Sequence, residues 1–405
     1  MIDPPRRERT VIVALWLMVM ASSSQVMIVA PILPRIGEAL SIPPALRGTL
    51  VTGFALTLSL FAVIIGPISD RFGRRPVLLA GTGSMTVALL LHPLASDYAS
   101  MLAVRIAAGA AAGLLTGSAI SYVGDYFPYE RRGWASGWVM SGFAVGQIIG
   151  VPAGTLLADR FGFQAPFLMF AGLMAGSFVL ILAAVPQPPV ERSRRLSVGS
   201  ALANYAELLR RPVVVGAALA YATMFFAVSS FIVYFPTWAE TSLGMNADAI
   251  ALLFVVGGIA SVLFGPRAGQ LSDRFGRKPL IIASCIGTAV LFGLTTVLVL
   301  EAWIAYVLFF LAMVLLAMRL SPFQALLTAL VGDRQRGSLM SLVVAIGQLG
   351  GGAGAALAGF VYADVGFVGC TLLAAGSILG TAWLVATRLP EPPRRVVVSS
   401  SMSNA

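Results

Sequence analysis

Two arginines, Arg105 and Arg319, lie deep inside long apolar stretches of this 405-residue chain. A charged side chain inside a membrane-spanning helix is costly unless it is paired or faces a polar cavity, so its presence indicates function. We interpret Arg105 as a functional residue on these grounds, and the alternative is a structural tie to polar groups of the first apolar stretch. Its expected partners form a polar patch in the first apolar stretch, namely Ser22, Ser23, Ser24 and Gln25.

Two interpretations of Arg319 stay open, because it stands just before Ser321 and Pro322. A proline in a helix frees backbone carbonyls, which would suit a cavity residue. Alternatively, the long side chain reaches the membrane surface with only its stem in the apolar layer. For Arg267, near the end of another apolar stretch, we expect the surface position.

Carboxylates that could carry a proton are not visible in the middle of any apolar stretch. A proton-exchanging carrier usually needs a buried carboxylate that changes its protonation state. Asp70, Asp125 and Glu240 are the candidates near the surface, and transport without protons is the alternative. The single histidine, His92, is expected to pack at the outer end of the third stretch rather than to relay protons.

Other kinds of chemistry find no support in the sequence. It contains no nucleotide-binding loop, nucleophile elbow or cluster of metal ligands, so we predict neither an enzyme nor a cofactor or metal site. Cys285 and Cys370 lie in apolar stretches, where we expect small buried side chains. The net charge of +10 does not indicate a nucleic-acid partner, because the basic residues occupy short loops.

The composition defines an integral membrane protein, since hydrophobic residues make up 58% of the chain and charged residues only 11%. Twelve apolar windows have about the 20 residues that a helix needs to cross a bilayer. The first window follows a basic start without a small-residue cleavage site, so we predict a spanning helix there rather than a signal peptide. The predicted spans are 11–33, 50–69, 76–96, 98–122, 136–157, 164–186, 212–238, 248–268, 279–299, 302–330, 338–360 and 365–387.

An internal repeat divides the chain. The segment 66–76, Gly-Pro-Ile-Ser-Asp-Arg-Phe-Gly-Arg-Arg-Pro, recurs 203 positions later as Gly-Gln-Leu-Ser-Asp-Arg-Phe-Gly-Arg-Lys-Pro. Each copy joins two apolar stretches, which is typical of a duplicated all-α transporter with two pseudo-symmetric bundles of six helices. The predicted domains are 1–186 and 212–390, with a linker at 187–211 and a tail at 391–405.

Basic residues predict the orientation in the membrane. With the N-terminus inside, nearly all loop arginines and Lys278 are cytoplasmic, and the other side receives Arg35, Arg47 and Arg160. The positive-inside rule therefore favours cytoplasmic termini. We expect a multi-pass protein of the bacterial inner membrane.

The residue types in the two repeated turns have a physical explanation. Gly66 and Asp70 share one helical face, so a neighbouring helix can approach the glycine while the carboxylate meets an arginine or a helix N-terminus. Gly73 and Gly276 permit a tight turn. A second internal repeat matches Asp125 and Arg132 in the first half with Asp333 and Arg336 in the second half.

This pattern resembles the signature loop of the major facilitator superfamily, and the resemblance covers the whole chain. It implies the twelve-helix fold of that superfamily, and a loop that latches the two halves on the cytoplasmic side. The gate residues that it implies are Gly66, Asp70, Arg71, Gly73, Arg74, Asp125, Arg132, Gly269, Asp273, Arg274, Gly276, Arg277, Asp333 and Arg336.

Three further stretches resemble the drug/proton antiporter branch of the superfamily. They are Pro31-Ile-Leu-Pro34, the segment from Met101 to Gly109 around Arg105, and the spaced glycines of the fifth span. The proline of that glycine motif stands one position later than usual, which resembles permeases that export drugs and sugars. The motif residues are Gly137, Gly146, Gly150, Pro152 and Gly154.

The resemblance places a substrate cavity between spans 1, 4, 7 and 10. It implies a monomer that exports small amphipathic compounds across the lipid bilayer by alternating access, in exchange for protons. The alternatives are a carrier of organic anions or sugars, and a non-transporting sensor or assembly factor. The implied cavity residues are Gln25, Arg105, Gln147, Tyr221, Phe225, Phe226, Ser229, Tyr234, Arg319 and Gln348.

Overall fold

The computed structural model describes residues 4–188, 198–332 and 335–391, and all regular structure in these ranges is helical. A 3-10 turn, His92–Leu94, follows α5, and a π turn, Gly146–Gly150, joins α8 to α9. The helices of the first half are α1 Pro4–Met27, α2 Val29–Ala39, α3 Pro44–Arg47, α4 Thr49–Phe72, α5 Arg74–Leu91, α6 Tyr98–Leu115, α7 Ser118–Tyr126, α8 Tyr129–Val145, α9 Val151–Phe161 and α10 Gln164–Ala184.

The second half begins after a short helix in the predicted linker, α11 Val198–Leu209. Its remaining helices are α12 Pro212–Ile232, α13 Phe235–Leu243, α14 Ala247–Phe275, α15 Arg277–Leu298, α16 Ala302–Ala329, α17 Arg336–Val365 and α18 Phe367–Arg388. The described residues contain twelve helical segments that are long and apolar enough to cross a membrane, which confirms the predicted number and order of spans. The domain limits stay a prediction, and Asp333 lies outside the described residues.

The two halves repeat one packing scheme. In the first half α4 packs on α6, α5 on α6 and α10, and α1 on α8 and α10. In the second half α14 packs on α16, α15 on α16 and α18, and α12 on α17 and α18. Glycines permit this close packing: a Cβ on Gly109 would lie 2.2 Å from the Phe54 carbonyl oxygen, and one on Gly350 would lie 2.3 Å from that of Ala222.

Both repeated turns need their glycines. Gly73 has φ +97° and Gly276 has φ +98°, a region that other residues rarely adopt. The next helix starts at the following residue in each half, so its first backbone N–H groups need acceptors. Gln187 Oε1 accepts from Arg75 N, and the carboxylate of Glu391 accepts from the backbone of Arg277 and Lys278. The end of each half therefore caps its own turn.

We call the end of the bundle with the repeated turns the turn face, and the opposite end the far face. Hydrogen bonds join the halves from the far face to the middle of the bundle: Thr52 donates to the Gly352 carbonyl and Ser59 to that of Ala345. The halves also meet between α14 of the second half and the fifth span of the first half. There α14 packs closely on α9 and the π turn but touches little of α8. Between α14 and the fifth span, the contacts thus become sparse towards the turn face.

Helix α11 lies on the side where α4 meets α17, and it contacts α4, α12 and α17. Its Tyr205 hydroxyl donates to the Val63 carbonyl at 3.1 Å. That carbonyl has no helical partner, because the residue four positions on is Pro67, which lacks an N–H. Burial raises the pKa of the Tyr205 hydroxyl, so the group stays protonated and can donate. The linker helix thereby satisfies a carbonyl that the proline of the turn motif has freed.

Tyr205→Phe is expected to loosen α11 from α4 without unfolding the spans, because it removes one hydroxyl and leaves one buried carbonyl unpaired. Such a change costs about 1–2 kcal/mol, or roughly a tenfold rise in local opening. Hydrogen exchange of the α11 amides measures it. Asn204→Ala, at an exposed position of the same helix, is the matched control. Equal exchange in the phenylalanine variant and the parent would contradict this role.

Candidate functional site

Arg105 on α6 is the most buried charge of the first half, with 1% of its surface exposed. Its Nη1 donates to Gln25 Oε1 on α1 across 3.5 Å, and its guanidinium carbon lies 4.4 Å from the centre of the Phe54 ring. Of the predicted polar patch only Gln25 makes this contact, since Ser23 and Ser24 donate to the Met20 carbonyl. Arg105 therefore has an amide and an aromatic face as neighbours.

Arg319 on α16 is equally buried, which rules out the surface interpretation. Its Nη1 donates to Thr288 Oγ1 on α15 at 2.8 Å, so the side chain turns into the second half. Arg267, in contrast, is exposed as expected and donates to the Leu263 carbonyl. Among the described residues neither Arg105 nor Arg319 forms an ion pair, which leaves two buried cations with neutral neighbours.

The aromatic residues predicted on span 7 divide into two groups. Tyr221 contacts Phe225 and also Phe323 of α16, with ring centres 5.0 and 5.5 Å apart. Their helix packs on α17, where Gly347 lies against Tyr221 and Gly351 faces Ser229. Phe226 is half-buried on the same helix. Tyr221, Phe225 and Phe323 therefore provide aromatic surface near the Ser229 hydroxyl. Tyr234 is not part of this group.

Tyr234 lies in the contact between the halves at the far face. Its hydroxyl accepts from the Gly48 backbone N–H at 2.9 Å and donates to the Pro44 carbonyl at 3.0 Å. In this conformation its polar group is occupied by the other half rather than free for a substrate. Arg35 adds charge to the same face: its guanidinium lies 2.6 Å from Asp159 and 3.6 Å from Glu240.

The two predicted glutamines lie apart from Arg105. Gln147 and Gln348 are both half-buried, and Gln147 donates to the Met27 sulfur on α1. Their role towards a substrate stays a prediction. Sequence reasoning did not single out Arg35 as a contact between the halves, although its position as one of three arginines on the poorly charged side was a signal.

Helix α8 and the π turn show why the fifth span is rich in glycine. Gly146 and Gly150 lie against the serines of α1, and Gly154 lies against Ile28. Gly142, which was not predicted, continues this four-residue spacing and meets the Trp16 carbonyl. Gly137 does not share these contacts, because no atom lies within 4 Å of the position that a Cβ would take, and its part in the motif stays a prediction. Pro152 follows the π turn in the first turn of α9.

Gly137 instead belongs to an open groove of about 370 Å³ at the turn-face end of α8. Gly133 and Ser141 line it together with Trp134 and Trp138, whose surfaces are 48% and 56% exposed. Helix α14 covers the rest of this span but not the groove.

The predicted gate residues form pairs within each half. Arg74 Nε lies 2.5 Å from Asp125 Oδ2, and its Nη1 donates to Ser69. Arg132 donates to the Phe127 carbonyl, while Arg277 and Arg336 bind the carbonyls of Ala325 and Thr328. Arg71, Asp273 and Arg274 are exposed at the turns. A Cβ added to Gly66 or Gly269 would meet no backbone atom of another helix. The side chain of Asp70 lies outside the described residues.

Two like bundles of six spans in one chain are the architecture of many secondary transporters. The family model of the Major Facilitator Superfamily matches residues 15–257 and 217–403. The chain belongs to that superfamily.

Similar proteins agree with this assignment. The chain is 29% identical to the "Uncharacterized MFS-type transporter YceJ" of Bacillus subtilis, over 83% of this chain and 85% of that protein. It is 26% identical to the "Multidrug resistance protein MdtG" of Citrobacter koseri, over 94% and 95% of the two chains. Among solved structures, a D-xylose–proton symporter shares the fold with a TM-score of 0.78, at 18% identity over 95% of this chain and 98% of that one.

Proposed function

We propose that this protein exports small amphipathic organic compounds by alternating access, in exchange for protons. The observation that carries the proposal is the asymmetry of the contacts between the halves: Thr52 and Tyr234 join the halves towards the far face, whereas α14 touches little of α8 towards the turn face. Similarity to proteins named for multidrug resistance supports export. The protein acts as a monomer, since each chain holds both halves.

The distribution of arginines supports the sidedness. The turn face carries Arg71, Arg74, Arg274 and Arg277, and the positive-inside rule assigns such a face to the cytoplasm. The conformation is then inward-facing, with the far face as the closed outer gate. Both termini are cytoplasmic in this orientation, and a compound enters from the cytoplasm or the inner leaflet.

The polar and aromatic groups support an amphipathic substrate. Arg105 and Gln25 offer hydrogen-bond donors beside the Phe54 ring, and Tyr221 and Phe225 offer aromatic surface in the other half. Pockets that combine a few polar groups with such surfaces bind drug-sized molecules. Because the two groups belong to different halves, the contacts of a compound that touches both would change when the halves move relative to one another.

One observation favours a second candidate, a carrier of organic anions. Arg105 and Arg319 are buried cations without a carboxylate partner among the described residues. A buried charge is stabilised by an opposite charge, which an anionic substrate would supply. Sugars belong to the same alternative, since guanidinium groups also bind hydroxyl oxygens.

Proton flux in liposomes tests the proposal. The purified protein is reconstituted with a pH-sensitive dye inside, and cationic, neutral and anionic amphipathic compounds are added in turn. We expect compound-triggered proton movement in the direction opposite to the compound, and none in protein-free vesicles. Compounds that cross without a proton signal would refute antiport, and movement of anions alone would establish the second candidate.

A further inference from the structure

Helices α4 and α17, which belong to different halves, meet in one regular register. Thr52 donates to the Gly352 carbonyl at 2.6 Å, and Ser59 donates to the Ala345 carbonyl at 2.9 Å. The two donors on α4 and the two acceptors on α17 are both separated by about two helical turns. The helices are therefore antiparallel neighbours, and the same register can be continued towards the turn face.

The continued register predicts which residues of α4 and α17 are level with each other nearer the turn face. Val63 is level with Ser341, and Gly66 is level with Ser338. Both serines are half-buried, and neither hydroxyl has a hydrogen bond within the part of the chain that the structure describes. No atom lies within 4 Å of the position that a Cβ on Gly66 would take. The contact of the two helices is therefore absent at Gly66.

Helix α11 takes the place of α17 at this end of α4. It contacts both helices, and its Tyr205 hydroxyl donates to the Val63 carbonyl at 3.1 Å. Gln335, directly before α17, donates to Glu207 of α11 at 3.5 Å. The Val63 carbonyl needs a partner from outside its own helix, because Pro67 has no N–H. In this conformation the linker helix supplies that partner.

We propose that Tyr205 and Ser341 are alternative partners of the Val63 carbonyl, and that α11 holds the turn face open by occupying the place of α17. The proposal rests on the proposed alternating access. When the turn face closes, α17 approaches α4 over Gly66, α11 moves away, and Ser341 donates where Tyr205 did. Each conformation then keeps one hydrogen bond to this carbonyl, so the exchange leaves no buried acceptor unpaired.

The space between the helices makes the two arrangements exclusive. The axes of packed helices lie about 8–10 Å apart, and a helix with its side chains is itself about 10 Å wide. No room for α11 remains between α4 and α17 once they pack at this level. Gly66 has no side chain, so α17 can approach α4 there as closely as it does near Ser59. The linker helix therefore has to leave before the turn face can close.

The distance between the halves at the turn face tests the exchange. Spin labels are attached to Tyr129→Cys on α8 and Ala329→Cys on α16, which are exposed positions in different halves. The native Cys285 and Cys370 are replaced by alanine. Pulsed electron paramagnetic resonance in liposomes, without any transported compound, gives the populations with an open and with a closed turn face.

All variants are measured with Gly48→Ala, which loosens the far face and brings both populations into a measurable range, because its Cβ would meet Ala355 of the other half. We expect Tyr205→Phe to raise the ratio of closed to open turn face about tenfold, since the open state loses one hydrogen bond. Ser341→Ala should lower the same ratio about tenfold. In the double variant each state lacks its bond, so the ratio should return to that of the Gly48→Ala background.

Two controls accompany these variants. Asn204→Ala is exposed on α11, and Ser84→Ala removes an exposed hydroxyl of α5 that donates within its own helix. Both should leave the ratio unchanged. Two populations whose ratio does not respond to Tyr205→Phe and Ser341→Ala, or shifts in the same direction in both, would overturn the proposal alone. One unchanged distance in every variant, Gly48→Ala included, would refute alternating access and the proposal with it.

Discussion

Arg105→Ala is expected to reduce the transport rate by about 10- to 150-fold while the protein stays folded. Hydrogen bonds from a charged group contribute about 1.5–3 kcal/mol, and each 1.4 kcal/mol corresponds to a factor of ten. The side chain forms no ion pair among the described residues, so its removal leaves no opposite charge unpaired. Vesicle uptake of a labelled compound measures the rate, and thermal unfolding of the purified protein measures stability.

Two further variants separate charge from geometry at this position. Arg105→Lys keeps the charge but loses the planar fork, so we expect a partial recovery of transport. Arg267→Ala removes an arginine that is exposed on α14 and should leave the rate near that of the parent. A normal rate in Arg105→Ala would refute the assignment of this residue to the substrate site.

Gly48→Ala is expected to force the far face apart. A Cβ on Gly48 would lie 1.9 Å from the backbone oxygen of Ala355 in the other half, and the Tyr234 hydroxyl binds the Gly48 N–H. Backbone atoms cannot move aside as a side chain does. Overpacking of this kind costs about 1–3 kcal/mol, so the closed far face should lose roughly 5- to 150-fold in population relative to the open one.

Maleimide labelling of a cysteine placed between the halves at the far face measures this change in population. Ala45→Cys is placed on the far face in a chain with Cys285→Ala and Cys370→Ala, both of which are buried in the parent. We expect faster maleimide reaction in the presence of Gly48→Ala. Gly172→Ala on α10, where no atom lies within 4 Å of the Cβ position, is the matched control. Equal labelling in both variants would show that the far face does not close on Gly48.

Much of the fold could be predicted because its signals are local. Span number follows from the length of apolar runs, and the turns at Gly73 and Gly276 follow from a backbone region that favours glycine. The repeat of 203 residues indicated two like halves. The caps by Gln187 and Glu391 could not be predicted, because they join residues more than a hundred positions apart.

The site was predictable only in part. Arg105 and Gln25 were expected to meet and do so, since a buried charge needs polar neighbours. Which glycines of the fifth span face another helix could not be predicted, because Gly146, Gly150 and Gly154 meet α1 whereas Gly137 meets no neighbour. The cavity and gate roles of the remaining residues stay predictions.

The sequence by itself determined the class of protein, the twelve spans, the duplicated turns and the presence of costly buried charges, because composition and hydropathy act residue by residue. Only the tertiary structure decided that Arg319 turns to Thr288, that Tyr234 joins the far face, and that His92 stacks on Phe167. The rotation of each helix and the angle between the halves set these contacts. Both depend on the sum of many small packing energies between distant segments, which no local pattern contains.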